Sequence, residues 1–165
     1  MSQLTNSLKT PREQLPERIG DLVSSLRAAE KKIAEFESAQ LSLRVPALVE
    51  QAAPVGSLTV VAESVGTVKS TDELRSLVLS VRERLGSDSA SVVALAADVA
   101  GKPAVIVATT APARSAGVKA GQLARTAAGI LGGGGGGKDD LAQGGGSDVA
   151  AITTALTGIV AALRS

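Results

Sequence analysis

The chain has 165 residues, 44% of them apolar, which is material for one ordinary domain and an appended element but not for two large cores. Its 17 basic and 16 acidic residues nearly balance, so the overall field neither invites nor repels a polyanion. With no cysteine and no histidine, disulfides, thiolate nucleophiles, imidazole bases and the common zinc sites are all excluded.

The first fifty or so residues differ from the rest. Leu15, Ile19, Leu22, Leu26, Ala29, Ile33, Phe36, Gln40 and Leu43 recur at steps of four and three, a heptad seam with Arg18, Glu30, Lys31 and Glu35 between its members. Pro16 falls in the first turn, where proline is tolerated, and Pro46 is expected to stop or kink the helix. So narrow a stripe must bury itself against another helix, from a second copy of the chain or from an upstream partner; the plainer reading lays it on the domain that follows. Residues 1–53 carry seven basic and seven acidic side chains, which does not describe a nucleic-acid tail. They read as a helical arm, a candidate coiled-coil or dimerisation segment, ahead of an α/β domain over 54–165.

From residue 57 the pattern changes. "SLTVVAE", "ASVVALAADVA" and "AVIVATT" are short and rich in β-branched residues, and "GKP" between the last two suits an antiparallel hairpin. A helix lies between the first and second strands. Ser70 and Glu73 form a capping box, Leu74, Leu77, Val78, Val81 and Leu85 make one face, and Gly86 is the stop. A further helix is expected over about 115–131, and a last one from Ser147–Asp148 with Ile152, Leu156, Ile159, Val160 and Leu163 on its buried side. Strand, helix, strand, strand, helix, helix makes a small mixed-sheet domain, and the nearly continuous apolar strands predict helices on both sheet faces.

The stretch "GILGGGGGGKDDLAQGGGSDV" holds ten of the eighteen glycines. A flexible linker is one reading, but both ends run into structured elements within a few residues. A phosphate loop is another: Gly132, Gly137 and Lys138 satisfy G-x-x-x-x-G-K. The next residue, however, is Asp139 instead of Ser or Thr, and the run follows a helix instead of a strand. The third reading is a cradle for a nucleic-acid backbone. No acidic residue lies between Asp98 and Asp139, whereas Lys102, Arg114, Lys119, Arg125 and Lys138 all do. Lys119, Gln122, Arg125 and Thr126 read as one face of the helix entering the glycines. Bare N–H groups beside the positive end of a helix starting near Ser147 would attract an anion. Asp139, Asp140 and Asp148 suit structural roles better than a metal site, since hard-cation sites draw carboxylates from several elements. Phe36 is the one aromatic residue, so no stacking platform exists in the α/β part and any nucleic acid is read by shape and backbone.

Two segments carry a resemblance. "AGQLARTAAGILGGGGGGKDDLAQGGGSDVAAITTAL" resembles the C-terminal end of alanyl-tRNA synthetases, where a glycine run, a basic residue and Asp precede "AQ-GG". "TPREQLPERIGDLVSSLRAAEKKIAEFESAQ" is similar to the helical segment before that domain. Lys138 stands where Arg is common, Leu141 where Met is frequent, and Asp140 at a variable position. The resemblance implies a non-catalytic domain that binds the outer corner of tRNA and helps one tRNA engage both the aminoacylation and the editing centres. It also implies a helical part able to support a homodimer. The carried-over site is Gly132, Gly133, Gly134, Gly135, Gly136, Gly137, Lys138, Gln143, Gly144, Gly145 and Gly146; Lys119 and Arg125 are added from the helix face. No catalytic residue, metal or cofactor is expected in the chain, which reads as a piece cut from a longer protein.

No charged n-region precedes an apolar core, and no apolar run nears the roughly 20 residues of a membrane span, so a cytoplasmic location without membrane partners is expected. Two other readings stay open. DHH-type phosphoesterases carry a related glycine-motif domain that binds substrate, though a histidine often follows their glycines where Lys138 stands here. A purely structural oligomerisation module built on the heptad seam is the other.

Overall fold

A computed structural model describes residues 15–165; residues 1–14 of the expected arm lie outside the described residues. By compactness the chain divides between Leu41 and Ser42. Helix α1 (Leu15–Glu50) is continuous and carries Pro46 within it. Pro46 does not stop the helix, which runs one turn further, because a proline forfeits only its own bond to the carbonyl four residues upstream and leaves the N–H groups after it able to pair. Much of the heptad seam is solvent-facing: Ile19, Leu22, Leu26, Ile33, Phe36 and Leu43 are exposed, Phe36 to 71%.

The α/β unit is built on a six-stranded sheet of order β1-β2-β3-β4-β6-β5. Strands β1 (Ala53–Val55) and β2 (Leu58–Val68) form an antiparallel hairpin turning at Gly56. Helix α2 (Thr71–Leu85) crosses from β2 to the parallel strand β3 (Ser91–Val99). Ser70 Oγ accepts the Glu73 N–H at 3.2 Å, and Glu73 Oε2 accepts the Lys69 N–H at 2.8 Å. The capping box is thus present with its return bond one residue further out. Leu74, Leu77, Val78 and Val81 are buried, and Gly86 ends the helix at φ +92°.

Strand β4 (Lys102–Thr109) pairs antiparallel with β3. Their turn is Ala100–Gly101, both at positive φ, so the lysine and proline of the expected "GKP" connection already belong to the strand. In place of one helix over 115–131 there are two, α3 (Ala111–Ser115) and α4 (Ala120–Ile130), separated at Gly117, where φ is +94°. Strands β5 (Gly135–Gly137) and β6 (Leu141–Gly145) then form an antiparallel hairpin, with β6 on β4 and β5 at the sheet margin. The last helix α5 (Ile152–Arg164) follows a 3-10 turn at Val149–Ala151. It begins later than the expected Ser147–Asp148, and the Asp148 side chain makes no capping bond.

Alternation sorts the strands between two layers. Val60, Val92, Ala94, Val105 and Val107 join α4 and α5 in one core, with Leu123, Ala124, Ala127, Leu131, Leu156 and Ile159. Val61, Val93, Leu95 and Ile106 alternate with them and are fully buried, on the side where α2 contacts β3 and β4. Both sheet faces are covered, as the apolar strands require. Leu77→Ala, at a site 1% exposed, is expected to destabilise the chain by roughly 2–5 kcal/mol in urea unfolding. A loss below about 1 kcal/mol would mean that α2 is not part of a close-packed layer.

Candidate nucleic-acid interface

The glycine run is sheet, not slack. Gly135 pairs with Gly144, Gly136 with Gln143 and Gly137 with Ala142. The hairpin exists because α4 lies directly on it through its own small residues, Gly121, Ala124 and Ala128. A methyl group added at Gly135 would stand 2.9 Å from the Ala124 carbonyl oxygen, and one at Gly144 would stand 2.8 Å from Ala128 Cβ. Side chains at Gly133 and Gly146 would overlap the carbonyl oxygens of Gly145 and Leu131. The Leu131 carbonyl accepts the N–H groups of Ser147 and Asp148 at 3.0 and 3.1 Å, tying the end of α4 to the exit of the hairpin. A phosphate loop is ruled out by topology as well, since Lys138 leads into strand β6 and not into a helix.

Two glycines of the run have no such neighbours. Nothing lies within 4 Å of a side chain built at Gly134, and at Gly136 only the Arg125 guanidinium approaches, to 3.7 Å. Strand alternation turns Gly136 away from α4, onto the face shared with Gln143, Ile106, Ala104 and Lys102 through the β5–β6–β4 register, and Gly134, immediately ahead of the strand, lines the same face. Shallow depressions of about 560 and 430 Å³ lie there, meeting at Gly136 and Gln143. Thr71, at the start of α2, and Lys102 line the first; Arg75 and Lys138 line the second. Arg75 Nη2 donates to Gln143 Oε1 at 2.6 Å, while its buried Nε has no partner.

The expected residues are therefore only partly gathered. Gly134, Gly135, Gly136, Gly137, Lys138, Gln143, Gly144, Gly145 and Gly146 line these depressions, and Arg125 reaches Gly136 from α4. Gly132 is the positive-φ residue that ends α4, and at Gly133, Gly135, Gly137, Gly144 and Gly146 packing leaves no room for a side chain. Lys119 lies elsewhere, in a separate cavity of about 390 Å³ shared with Gln122, Thr126 and Ser165. The face expected for Lys119, Gln122, Arg125 and Thr126 spans about 120° at 100° per residue, with Lys119 and Arg125 at its edges; Lys119, Gln122 and Thr126 line this cavity, while Arg125 reaches Gly136. The helix end expected near Ser147 begins behind Asp148 as a 3-10 turn that runs into α5, but the Ser147 and Asp148 N–H groups already donate to the Leu131 carbonyl; the helix start that lines the shelf is that of α2, through Thr71. Asp139 and Asp140 anchor the loop through main-chain carbonyls: Asp139 O accepts from Ala120 N at 3.0 Å and from Thr109 Oγ1 at 2.6 Å, and Asp140 O from Thr109 N at 3.0 Å. Among the described residues no cluster of three or more His, Cys, Asp or Glu could hold a metal ion, and no helix is long and apolar enough to cross a membrane. Sequence reasoning missed Arg75, whose partner Gln143 is 68 positions away and leaves no local trace.

Residues 57–165 match the DHHA1 domain. The chain is 64% identical over its whole length to an alanine–tRNA ligase of Clavibacter sepedonicus, and 58% identical over 99% of its length to that of Leifsonia xyli subsp. xyli. It spans 18% of the length of each of these curated relatives. Among solved structures it is similar to the C-Ala domain of Aquifex aeolicus alanyl-tRNA synthetase, with 28% identity and a TM-score of 0.59 over 69% of this chain and 98% of that one. A DHH-domain member of the s1p family of ribosomal proteins shares the fold alone, at 11% identity and a TM-score of 0.54 over 84% of this chain and 33% of that one.

The two classes of glycine separate by experiment. Gly135→Ala is expected to cost roughly 1–3 kcal/mol in urea unfolding, from overpacking against α4. Gly134→Ala should stay within about 1 kcal/mol of the parent, or gain from a less mobile unfolded chain. Equal losses at both would remove the distinction.

Proposed function

The chain belongs to the DHHA1 domain family, and from that premise we propose that it is the non-catalytic tRNA-binding domain of an alanine–tRNA ligase. In this reading residues 1–53 are a helical arm and 54–165 hold the outer corner of tRNA by backbone and shape, helping one tRNA reach the aminoacylation and editing centres. The observation that carries it is the pair Gly134 and Gly136. Packing explains their neighbours in the run, but nothing in the interior forbids a side chain at these two. A bare main chain is what a close-approaching ribose-phosphate surface needs. Lys138, Arg125, Lys102 and Arg75 around it supply positive charge, and the absence of aromatics in this unit favours contacts to phosphate over stacking on bases.

Such a domain works without a cofactor or a catalytic residue of its own. The arm would add a homodimer contact, since the exposed apolar stripe of α1 fits a second copy of itself. The rival reading, a substrate-binding domain of a DHH-type phosphoesterase, draws on a shared fold at 11% identity; the 64% identity over the whole chain favours the ligase.

Gel-shift with whole tRNA beside a hairpin lacking the corner tests the reading: only the whole tRNA should bind. With about three to five phosphate contacts the log–log salt slope should be roughly −2 to −5, and a constant affinity between about 50 and 200 mM salt would contradict it. Lys138→Ala should weaken binding about uniformly across tRNA sequences. Gly134→Val should weaken it without moving the melting temperature, whereas a collapsed melting temperature would make Gly134 structural. Sedimentation at several concentrations should show a monomer–dimer equilibrium that Leu26→Lys abolishes; a concentration-independent monomer would remove the dimer.

A further inference from the structure

We propose that the RNA strand held on the glycine shelf continues along the seam between α2 and the β5–β6 hairpin into a second phosphate-binding pocket built by Arg82 and Arg114. The proposal rests on the tRNA-binding reading and extends it to residues outside the glycine motif.

Three depressions run in series. The two over the shelf share Gly136 and Gln143, and the second shares Asp140 with a third, of about 530 Å³. That third pocket is lined by Arg82, Glu83, Thr109, Thr110, Arg114 and Asp140, among others. Arg82 Nη1 donates to the Asp140 carbonyl at 3.3 Å and Arg114 Nη1 to the Thr109 carbonyl at 2.9 Å. Each guanidinium is therefore held by one nitrogen on main chain, and most of its five donors are left for something else. Both side chains are half-buried. Asp140 and Glu83 border the pocket, yet among the described residues no ion pair joins either carboxylate to these arginines. Arg75 repeats the pattern at the shelf end, with Nη2 on Gln143 and its buried Nε unpartnered. Guanidinium groups drawn partly out of water without a counter-charge are costly, and an incoming anion would relieve that cost.

The spacing selects the kind of anion. Arg75 and Arg82 are seven residues apart on α2, hence on one face and about 10 Å apart along the axis at 1.5 Å per residue. A single phosphate cannot span that distance; a chain of phosphates can. Lys102, Arg75, Lys138, Arg82 and Arg114 then mark a path, with Asp140 and Glu83 keeping its grip weak and salt-sensitive.

The test compares the 165-residue chain with Arg82→Gln/Arg114→Gln and Arg82→Lys/Arg114→Lys, titrating whole tRNA at several salt concentrations. The Gln pair should weaken binding and lower the salt slope by about two, while the Lys pair keeps the slope. An unchanged Gln pair beside a weakened Lys138→Ala would overturn the second pocket and leave the shelf standing. No binding by the parent chain would overturn both. Because Arg82 and Arg114 also brace main-chain carbonyls, a readout without mutation accompanies it: phenylglyoxal modification of the parent chain, followed by mass spectrometry. tRNA should protect both arginines, and inorganic phosphate should not. Absent protection, or equal protection by phosphate, would overturn the path.

Discussion

The α/β unit depends on how closely α4 lies against the last two strands of its sheet. Helix and strands meet where Gly121 faces the Gly137 carbonyl and where Ala124 and Ala128 face Gly135 and Gly144, with separations that leave no room for a methyl group. An ordinary helix–sheet contact is filled by large side chains at about 10 Å; here main chain meets main chain. That approach turns a polyglycine segment, which by itself has little preference for sheet and much entropy to lose, into two ordered strands. Hydrogen bonds from Ser147 and Asp148 to the Leu131 carbonyl, and from Ala120 to the Asp139 carbonyl, hold both ends of the contact.

The proposed RNA-binding face follows from the same constraint. Since successive residues of a strand point to opposite faces, ordering Gly135 against α4 turns Gly136 outward, and Gly134, just ahead of the strand, is open as well. The inward glycines are a packing necessity; the outward ones are where function can be read. Around them converge residues from four elements: Arg75 from α2, Lys102 from β4, Arg125 from α4 and Gln143 from β6. Rigid elements carry this surface, and the Arg75–Gln143 bond joins the helical layer to the hairpin that forms it.

Much of the unit was legible before any coordinates. The α2 capping box, its buried leucines and valines and its glycine stop are local signals, and local signals survive folding. The β3–β4 hairpin was equally plain, because β-branched runs and a short turn leave little choice. The glycine strands were not legible, as glycine has no side chain from which to read a period of two. The division of α3 from α4 hides in one positive-φ glycine, Gly117, inside a segment of helix-forming residues. Lys119, Thr126, Gln122 and Arg125 span an arc of about 120° on α4, wide enough for its two edges to border different hollows. Arg75 and Arg82 leave no local trace because their surroundings are assembled by topology from distant parts of the chain; Arg114 is visible in the sequence as a basic residue of the acid-free stretch, but its pocket is not.

The central proposal, that the outward main chain at Gly134 and Gly136 receives an RNA backbone, is tested most directly by following glycine amides. In a nitrogen-15 spectrum of the glycine-labelled chain, adding whole tRNA at low ionic strength should shift or broaden the signals of Gly134, Gly136 and Gly145 and leave those of Gly86 and Gly158 in place. Signals of Gly134 and Gly136 that stay unmoved at saturating tRNA, or movement confined to glycines remote from β5, would contradict the account.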